Sequence, residues 1–388
     1  MNYIFISPHF PTNFENFVIR LNEKGIRVLG IADEPYQNLS EALKANLTEY
    51  YKVDNLEDYD EVLRACGYFT HKYGKIDRIE SMNEHWLGLD AALRTDFNVF
   101  GFNNDDIAQV KRKSRMKEIF RKAGIPVARG RVFHGYEDAI SLVAELGYPV
   151  CIKPDIGVGA GDTYRITNQE DLDRFFSVGY QEDFIMEEFV YGDIVTYDGL
   201  SDRDGNTIFS STLAYNIAVL DIVEQNADMY YCIPRSIEED IVEAGEKIVK
   251  AFGLKERFFH IELFREFETG RLIALEINCR VPGGKTTDMF NYANDFDVYA
   301  LYADLVAGRD IDIVQDRPYF CCYASRKAFR DYVYTNEQLW EMYPQELISI
   351  ESIPGVFAAV MGDYGFLLRT PHEETMNQII SDISQTRS

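Results

Sequence analysis

The stretch HIELFREFETGRLIALEINCR, residues 260–280, contains two runs in which apolar and polar residues alternate. A period of two is typical of β-strands, and the intervening ETG, 268–270, ends in a glycine that suits the left-handed position of a short hairpin loop. A hairpin closed by that loop predicts that Glu262 lies directly opposite Glu276. The same face of the hairpin is then predicted to carry His260, Asn278 and Arg280.

The facing carboxylates of this hairpin need an explanation. Two like charges directly opposite each other on a sheet are destabilising by roughly a few tenths of a kcal/mol or more, and a cation between them removes that repulsion. The all-oxygen set of Glu262, Glu276 and Asn278 favours a hard cation such as Mg²⁺. Arg280 is placed to hold an anion beside that metal. The alternative is a hydrated polar face, but the apolar residues of LIALEIN favour burial.

A second candidate site is the loop KPDIGVGAGDT, residues 153–163. It follows the predicted strand YPVCIKP and precedes the strand-like YRIT. Glycines allow backbone N–H groups to approach phosphate oxygens, and Lys153 at the strand end can direct its ammonium group at the same anion. Taken alone, the loop is equally consistent with a mobile hairpin tip.

Two better-known phosphate motifs are absent. The first strand is followed by SPHFPTN and has no GxGxxG, which argues against a dinucleotide site. The segment GGKTT, 283–287, resembles a P-loop, but the required first glycine falls on Cys279. The glycine-rich loop is therefore a different device.

Composition excludes several partners. The 388 residues include 64 acidic and 39 basic side chains, for a formal charge of −25. Such a charge repels nucleic acid and anionic membranes and favours a protein that binds small molecules, so no nucleic-acid or membrane partner is expected. An anionic ligand would need a local pocket of lysine and arginine.

The cysteines and the amino terminus predict a cytoplasmic protein. The segment MNYIFISPHFP has no basic leader and reads as a first strand, and no apolar run is long enough to span a membrane. Without CxxC spacing, the cysteines are predicted to be reduced thiols. They are Cys66, Cys151, Cys232, Cys279, Cys321 and Cys322.

The order of elements predicts an α/β protein in three parts. Residues 1–105 alternate strands (3–7, 28–33 and 76–81) with a helix at 13–24, as in a parallel, Rossmann-like sheet. The polar FNNDD, 102–106, marks a boundary. Residues 106–312 are predicted to form a two-lobed domain divided near 182, and residues 313–388 a small closing domain. Further helices are predicted at 106–124, 137–147, 169–178 and 236–252, and C-terminal strands at CCYASRKA (321–328), GVFAAVMG (355–362) and FLLRT (366–370).

Several weak motifs occur in a specific order along the chain. They are RKxxM (112–116), CIKPDIGVGAGDT (151–163), IMEEFVYGD (185–193), and Glu262 followed by LEINCR (275–280). This order resembles the ATP-grasp superfamily, and within it the carboxylate–amine ligases such as the L-amino acid ligases and the large subunit of carbamoyl phosphate synthetase. The resemblance covers most of the chain and implies the α+β ATP-grasp fold, with ATP and Mg²⁺ (or Mn²⁺) as cofactors.

The resemblance also implies roles for individual residues. The catalytic residues would be Lys153, which would contact the α- and β-phosphates, and Arg280, which would steady the transferring phosphoryl group. The metal ligands would be Glu262, Glu276 and Asn278. The ATP-binding residues would be Lys113, Lys153, Gly157, Gly159, Ala160, Gly161, Glu187, Glu188, Val190 and Asp193, with 157–161 as a flap over the phosphates. A surface position remains the alternative for Glu187 and for Lys113.

One position departs from the family pattern. Relatives often carry a ribose-binding glutamate shortly after the hinge glycine, where this chain has Ile194. Asp193 is one residue too early and would face the other side of a regular strand. Either a bulge turns Asp193 toward the ribose, or another group holds the ribose.

The resemblance implies a two-step reaction. A carboxylate attacks the γ-phosphate of ATP, and an amine then displaces phosphate from the acyl phosphate. Amino acids or peptides are the expected substrates, and His9 and Glu84, at carboxyl ends of strands, are candidates to contact them. A loop position with a structural hydrogen bond is the alternative for both residues. Other ATP-grasp chemistry (carboxylation or thioester formation) and a silent nucleotide-binding protein remain alternatives. The residues do not fix an oligomeric state; a homodimer is expected by analogy alone.

Overall fold

The structure is a computed structural model that describes residues 1–157, 162–179, 183–216, 227–311 and 313–387. It is a mixed α/β fold with three sheets, which confirms the predicted fold class. Among the described residues, every helix is too short or too polar to cross a membrane.

The amino-terminal sheet is parallel, as predicted, and has the strand order β3-β2-β1-β4. Its strands are β1 Asn2–Ile6, β2 Arg27–Ala32, β3 Glu49–Lys52 and β4 Arg78–Glu80. The sequence analysis missed β3. This edge strand has only four residues, EYYK, and none of them is fully buried, so the alternation is too short to read.

The second sheet is antiparallel, with the order β5-β8-β6-β7. It consists of β5 Gly130–Val132, β6 Val150–Pro154, β7 Tyr164–Ile166 and β8 Phe184–Glu188. Two helices, Tyr136–Leu146 and Gln169–Val178, cover one face and bury a core around Phe133, Leu142 and Phe175. The glycine-rich loop leaves this sheet between β6 and β7.

Within the described residues, the largest sheet has nine strands, in the order β14-β13-β9-β11-β12-β15-β17-β16, with β10 paired to β9. Its strands are β9 Gly192–Ser201, β10 Thr207–Ser211, β11 Ala214–Tyr215, β12 Tyr230–Ile233, β13 Arg257–Glu266, β14 Leu272–Asn278, β15 Phe320–Arg326, β16 Leu347–Ser352 and β17 Tyr364–Thr370. The last three strands continue the sheet across position 312. The three-part domain division stays a prediction, but the sheet does not stop at its last boundary.

Most predicted helices lie where the sequence placed them. The described helices of six or more residues, besides the two already given, are Glu15–Glu23, Glu41–Asn46, Tyr59–Tyr73, Leu87–Phe97, Lys113–Lys122, Glu239–Ala251, Thr286–Asn294, Val298–Val306, Asn336–Met342, Gly355–Met361 and Glu373–Ser384. A five-residue helix, Ile107–Lys111, precedes the one that begins at Lys113. The predicted helix 106–124 is therefore broken at Arg112.

The segment GVFAAVMG is a helix, and its assignment as a strand was wrong. Pro354 precedes the first turn, and Gly362 ends the helix with φ +78°. Proline before a helix and a left-handed glycine after it are standard boundary signals, and here they outweigh the β-branched and aromatic content of the segment. The neighbouring strand is β16, which the sequence analysis did not identify.

Two of the cysteines are joined, which corrects the prediction of reduced thiols. Cys232 of β12 and Cys322 of β15 are register partners and form a disulfide. The other four cysteines are free thiols. The predicted pattern of isolated thiols failed because the two residues lie 90 positions apart and meet only through the strand pairing.

The amino-terminal sheet is held against the largest sheet by aromatic packing and buried ion pairs. Phe17 makes edge contacts with Tyr299 and Phe258 at ring-centroid distances of 4.7 and 5.8 Å. Nearby, Glu80 of β4 binds Arg257 of β13 at 2.7 Å, and both side chains are almost completely buried. These contacts fix the carboxyl end of β4 next to the hairpin β13–β14.

Tight packing of a helix on the largest sheet generates a test of the fold. A Cβ added at Gly245 would lie 2.0 Å from Cδ1 of Tyr197, a buried residue of β9. We expect Gly245→Ala to destabilise the protein by about 1–3 kcal/mol, although alanine favours helix. Gly67→Ala, in an equally helical but open position, should instead stabilise by about 0.5–1 kcal/mol. Urea denaturation of both variants checks the pair; equal effects would contradict the packing.

Candidate functional site

A cavity of about 450 Å³ lies between the second sheet and the largest sheet. Its walls come from β6 and β8 on one side and from β9, β13 and β14 on the other, with the helix Lys113–Lys122 at one end. Lysines and carboxylates line the same cavity as the apolar side chains of Ala128, Phe264 and Ile273. An apolar cleft with a few charged groups is the usual form of a small-molecule site.

The hairpin β13–β14 places its two acids opposite each other, as predicted. Glu262 pairs with Glu276, and His260 pairs with Asn278. The loop was predicted incorrectly, however. Beyond Leu263 the register shifts by one residue, so the loop has four residues, and a bulge at Leu275 restores the predicted pairing at the acids. Gly270 has φ +68°, the left-handed conformation assigned to it.

A buried histidine supports one of the paired acids. His260 lies between Asp198 of β9 and Glu262, and its Nε2 is 3.0 Å from Oε1 of Glu262. Burial alone would lower the pKa of His260, but Asp198 and Glu262 outweigh it and raise the pKa to about 10. Burial likewise pushes the pKa of Glu262 upward, yet the hydrogen bond from His260 brings it below its ordinary value. Glu262 therefore stays ionised at neutral pH.

The paired acids fit a hard divalent cation by their chemistry. Glu262, Glu276 and Asn278 offer only oxygen ligands, and Glu262 is held ionised. The Nδ2 of Asn278 donates to Oε1 of Glu276 at 3.3 Å, which joins the two side chains. Among the described residues there is no cluster of three histidine, cysteine, aspartate or glutamate side chains arranged for a metal. A cation here would be held by the two carboxylates, the amide oxygen of Asn278 and groups of the molecule bound in the cavity.

The helix break at Arg112 brings a lysine to the cavity. The carbonyl of Asp155 accepts the N–H of Lys113 at 2.8 Å, and its carboxylate accepts the N–H of Ser114 at 2.7 Å. Arg112 binds the same carboxylate at 3.1 Å. Asp155 thus caps a helix far from it in sequence and ties that helix to the end of β6. The sequence analysis did not select Asp155, although it is the aspartate of KPD.

Lys113 is consequently buried at the site. Its Nζ lies 3.4 Å from Oε2 of Glu276 and donates to the carbonyl of Gly157 at 3.3 Å. This contradicts the alternative that Lys113 is a solvated surface charge. Gly159, Ala160 and Gly161 lie outside the described residues, so the structure does not test the flap.

Lys153 and Glu187 form a buried ion pair across β6 and β8. Their Nζ and Oε2 atoms are 2.9 Å apart, which excludes a surface position for Glu187. The other oxygen of Glu187 binds Lys117 at 2.6 Å. Burial pushes the pKa of Glu187 upward, but the two ammonium groups outweigh it and lower the pKa to about 2. The sequence analysis missed Lys117, whose one signal was its position one helical turn after Lys113.

The predicted hinge residues also reach the cavity. Glu188, Val190, Asp193 and Ile194 all line it. The carboxylate of Glu188 binds Arg129 at 2.6 Å, so its side chain is turned toward β5. Asp193 and Ile194 are the second and third residues of β9, and both border the cavity. The predicted placement of the two residues on opposite sides of a regular strand therefore does not exclude Asp193 from the cavity.

Arg280 and Glu84 meet beside the paired acids. The Nε of Arg280 is 3.5 Å from Oε2 of Glu84, and Glu84 is buried. Burial raises the pKa of Glu84, against the opposing charge of Arg280. The loop that carries Glu84 is held by Asp90, whose carboxylate accepts both the N–H and the hydroxyl of Ser81. Two predicted residues from distant parts of the chain are thus brought together.

His9 is not among the described residues that line the cavity. It is half-buried after β1, and among the described residues its Nδ1 has no hydrogen-bond partner. Burial lowers its pKa against the charges of Glu34 and Asp33. These acids belong to the loop after β2. The role of His9 as a substrate contact stays a prediction.

Comparison with known proteins agrees with this geometry. An ATP-grasp domain family matches residues 146–288. The L-arginine-specific L-amino acid ligase of Bacillus subtilis is 24% identical over 67% of this chain and 64% of its own length. The carbamoyl phosphate synthase large chain of Thermotoga sp. (strain RQ2) is 25% identical over 55% of this chain and 20% of its own length. The matches therefore cover less than two thirds of these relatives.

The whole fold is also shared with a solved structure. The L-amino acid ligase from Bacillus licheniformis superposes with a TM-score of 0.73 and 14% identity, covering 98% of this chain and 96% of that chain. At that identity the likeness concerns the fold alone. Residues 146–288 thus carry an ATP-grasp domain, the family that the motif order resembled.

The tether at Asp155 can be tested directly. Asp155→Ala removes the cap of the helix Lys113–Lys122 and leaves Arg112 without its buried partner, so we expect a loss of about 1–3 kcal/mol in the free energy of unfolding. Asp183→Ala is the matched control, because Asp183 binds the same arginine at 3.2 Å but is 56% exposed. It should cost less than about 1 kcal/mol. Urea titrations measure both, and an Asp155→Ala variant as stable as the control would contradict the tether.

Proposed function

We propose that this protein is an ATP-dependent carboxylate–amine ligase that forms an amide or peptide bond on small substrates such as amino acids or peptides. The observation that carries the proposal is the meeting of two charge groups in one cavity. Buried lysines from β6 and the helix Lys113–Lys122 face the paired acids of β13–β14, with Arg280 beside them. Neither group is explained by stability alone, because buried charges cost free energy unless they serve a ligand or each other.

The proposed reaction needs positioning and charge neutralisation rather than a protein nucleophile. A substrate carboxylate attacks the γ-phosphorus of ATP; the bond to ADP breaks and an acyl phosphate forms. The amine then attacks the acyl carbon, the C–O bond to phosphate breaks, and the amine loses a proton. Lys113 and Lys153 would bind the phosphates, and Arg280 would stabilise charge on the transferring group.

A divalent cation bound by Glu262, Glu276 and Asn278 would supply charge neutralisation at the phosphate oxygens. His260 would keep Glu262 ionised and oriented for this purpose. The adenine would lie against the apolar wall near Val190, with backbone groups of the segment 187–190 as hydrogen-bonding partners. Asp193 is retained as a candidate for the ribose.

Glu84 is proposed to bind the amino group of an amino-acid substrate. Its carboxylate is buried next to Arg280. The substrate carboxylate would have to lie near Arg280 to reach the γ-phosphate. A substrate ammonium group would favour the charged form of Glu84 that burial opposes. The cytoplasmic location and the homodimer expected from the sequence stay predictions.

Release of ADP and phosphate tests the function. Purified protein is incubated with ATP and Mg²⁺ and with pools of amino acids, small carboxylates and peptides. Release that requires both a carboxylate and an amine, with a condensed product by mass spectrometry, supports the ligase. Release with bicarbonate or a thiol as co-substrate instead would favour other ATP-grasp chemistry. Tight ATP binding without release under any pool would favour a silent nucleotide-binding protein.

The metal assignment makes the sharpest prediction. Glu276→Ala should abolish product formation while the protein stays folded, because one carboxylate of the cation site is lost. The matched control is Glu268→Ala, an exposed carboxylate in the loop of the same hairpin, which should leave turnover unchanged. Circular dichroism and product formation are measured for both. Wild-type turnover in Glu276→Ala would overturn the assignment.

The substrate assignment predicts a separate effect. Glu84→Gln keeps the shape of the side chain but removes the charge that would pair with the substrate ammonium. We expect KM for the amino-acid substrate to rise about tenfold or more, while KM for ATP changes little. Steady-state kinetics with each substrate varied in turn provide the measurement. Equal changes in both KM values would indicate a structural role for Glu84 instead.

A further inference from the structure

The most buried lysine of the site has no role in the proposed reaction so far. Lys117 is 1% exposed and lines the cavity together with Lys113 and Lys153. It is a full helical turn past Lys113, on the same face of the helix. A lysine without solvent is costly unless it is paired, so its position calls for a specific partner.

That partner is Glu187, which Lys117 shares with Lys153. The two oxygens of the carboxylate divide between the two lysines: Oε1 lies 2.6 Å from Lys117 and Oε2 lies 2.9 Å from Lys153. Glu187 is 3% exposed, so water does not screen the three charges. The group is a buried cation–anion–cation row along one wall of the cavity.

The charges of this row do not cancel. Lys153 with Glu187 alone would be a neutral pair, and its ammonium group would have little net attraction for an anion. With Lys117 added, two positive charges face one negative charge, and the row has a net charge of +1. The extra charge is what a polyanionic ligand in the cavity would encounter.

The two lysines differ in their surroundings. Burial lowers the pKa of Lys117, and the positive charge of Lys153 adds to that effect against the attraction of Glu187. Lys153 gains from Glu187 and also from Glu276, and these charges outweigh its burial and raise its pKa. Of the two lysines, Lys153 is thus also stabilised by the charge of Glu276, whereas Glu187 is the anion that acts on Lys117.

We propose that Lys117 is a positioning residue: it neutralises Glu187, so that the ammonium group of Lys153 is left available to the phosphates of ATP. This inference rests on the proposed function, because it takes ATP as the ligand of the cavity. Lys117 then acts through its neighbours and need not touch the nucleotide. The net charge of the row should strengthen binding of the charged phosphates but have little effect on binding of the uncharged adenosine part of the nucleotide.

The comparison of a charged and an uncharged ligand tests this expectation. Binding of ATP, ADP and adenosine is measured by calorimetry for the wild type, Lys117→Met and Lys117→Arg. Lys117→Met should bind ATP about tenfold to a hundredfold more weakly and adenosine with little change. Lys117→Arg keeps the charge and should retain most of the ATP affinity. In turnover, KM for ATP should rise more than kcat falls.

Two further variants serve as controls. Lys122→Met removes an exposed lysine from the same helix and should bind ATP like the wild type. The double variant Lys117→Met with Glu187→Gln removes one charge of each sign, so the row keeps its net +1. Its ATP affinity should exceed that of Lys117→Met, because the net charge of the row is restored. If Lys117→Met does not fold, the double variant carries the test.

The possible results distinguish a failure of the role proposed for Lys117 from a failure of the proposed ligase function. Unchanged ATP binding in Lys117→Met, or equal weakening of ATP and adenosine, would overturn the role of Lys117 while leaving the ligase proposal in place. A double variant as weak as the single variant would overturn the charge argument. A wild-type protein that binds no ATP would overturn the proposed function and this inference together.

Discussion

The site depends on one constraint, the placement of two carboxylates directly opposite each other on adjacent strands. Glu262 and Glu276 could avoid their repulsion by a shift of one residue, and the hairpin loop by itself would impose that shift. The bulge at Leu275 cancels it. The chain thus uses an irregularity to restore an unfavourable pairing, and His260 and Asn278 are arranged around the result. Strand β9 adds Asp198, the register partner of His260, on the other side of β13.

The opposite wall of the cavity carries positively charged lysines. Asp155 brings the helix Lys113–Lys122 to the end of β6, and this places lysines from two elements around Glu187. On each wall, charges of opposite sign partly offset one another but leave a net charge. A ligand that carries both phosphate groups and a cation would satisfy both walls at once. Electrostatic preorganisation of this kind is the main resource of enzymes that transfer phosphoryl groups.

The sequence predicted the parts of the fold that have a strong local signal. The hairpin β13–β14, the strand that carries Lys153 and the helix Glu239–Ala251 follow from the alternation or helical periodicity of their apolar residues and from glycines at their ends. The helix Gly355–Met361 was misread because its composition favours a strand while its boundaries favour a helix. Lys117, Asp155 and the Cys232–Cys322 disulfide were missed because each has its meaning only through a partner distant in sequence. Local patterns indicate where a charge lies along the chain, but not which buried charge it will meet.

The continuation of the largest sheet into the last part of the chain has a consequence for how the molecule holds together. Strand β12 is paired on one side by β11 and on the other by β15, and its cysteine is bonded to the same neighbour. Residues 320–326 therefore protect an edge that would otherwise present open backbone groups to other chains. The carboxyl-terminal segment thus covers β12 in the same sheet that carries the paired acids. A chain that ended near residue 312 would keep the residues of the cavity but would leave one edge of β12 unpaired, and an unpaired strand edge favours aggregation.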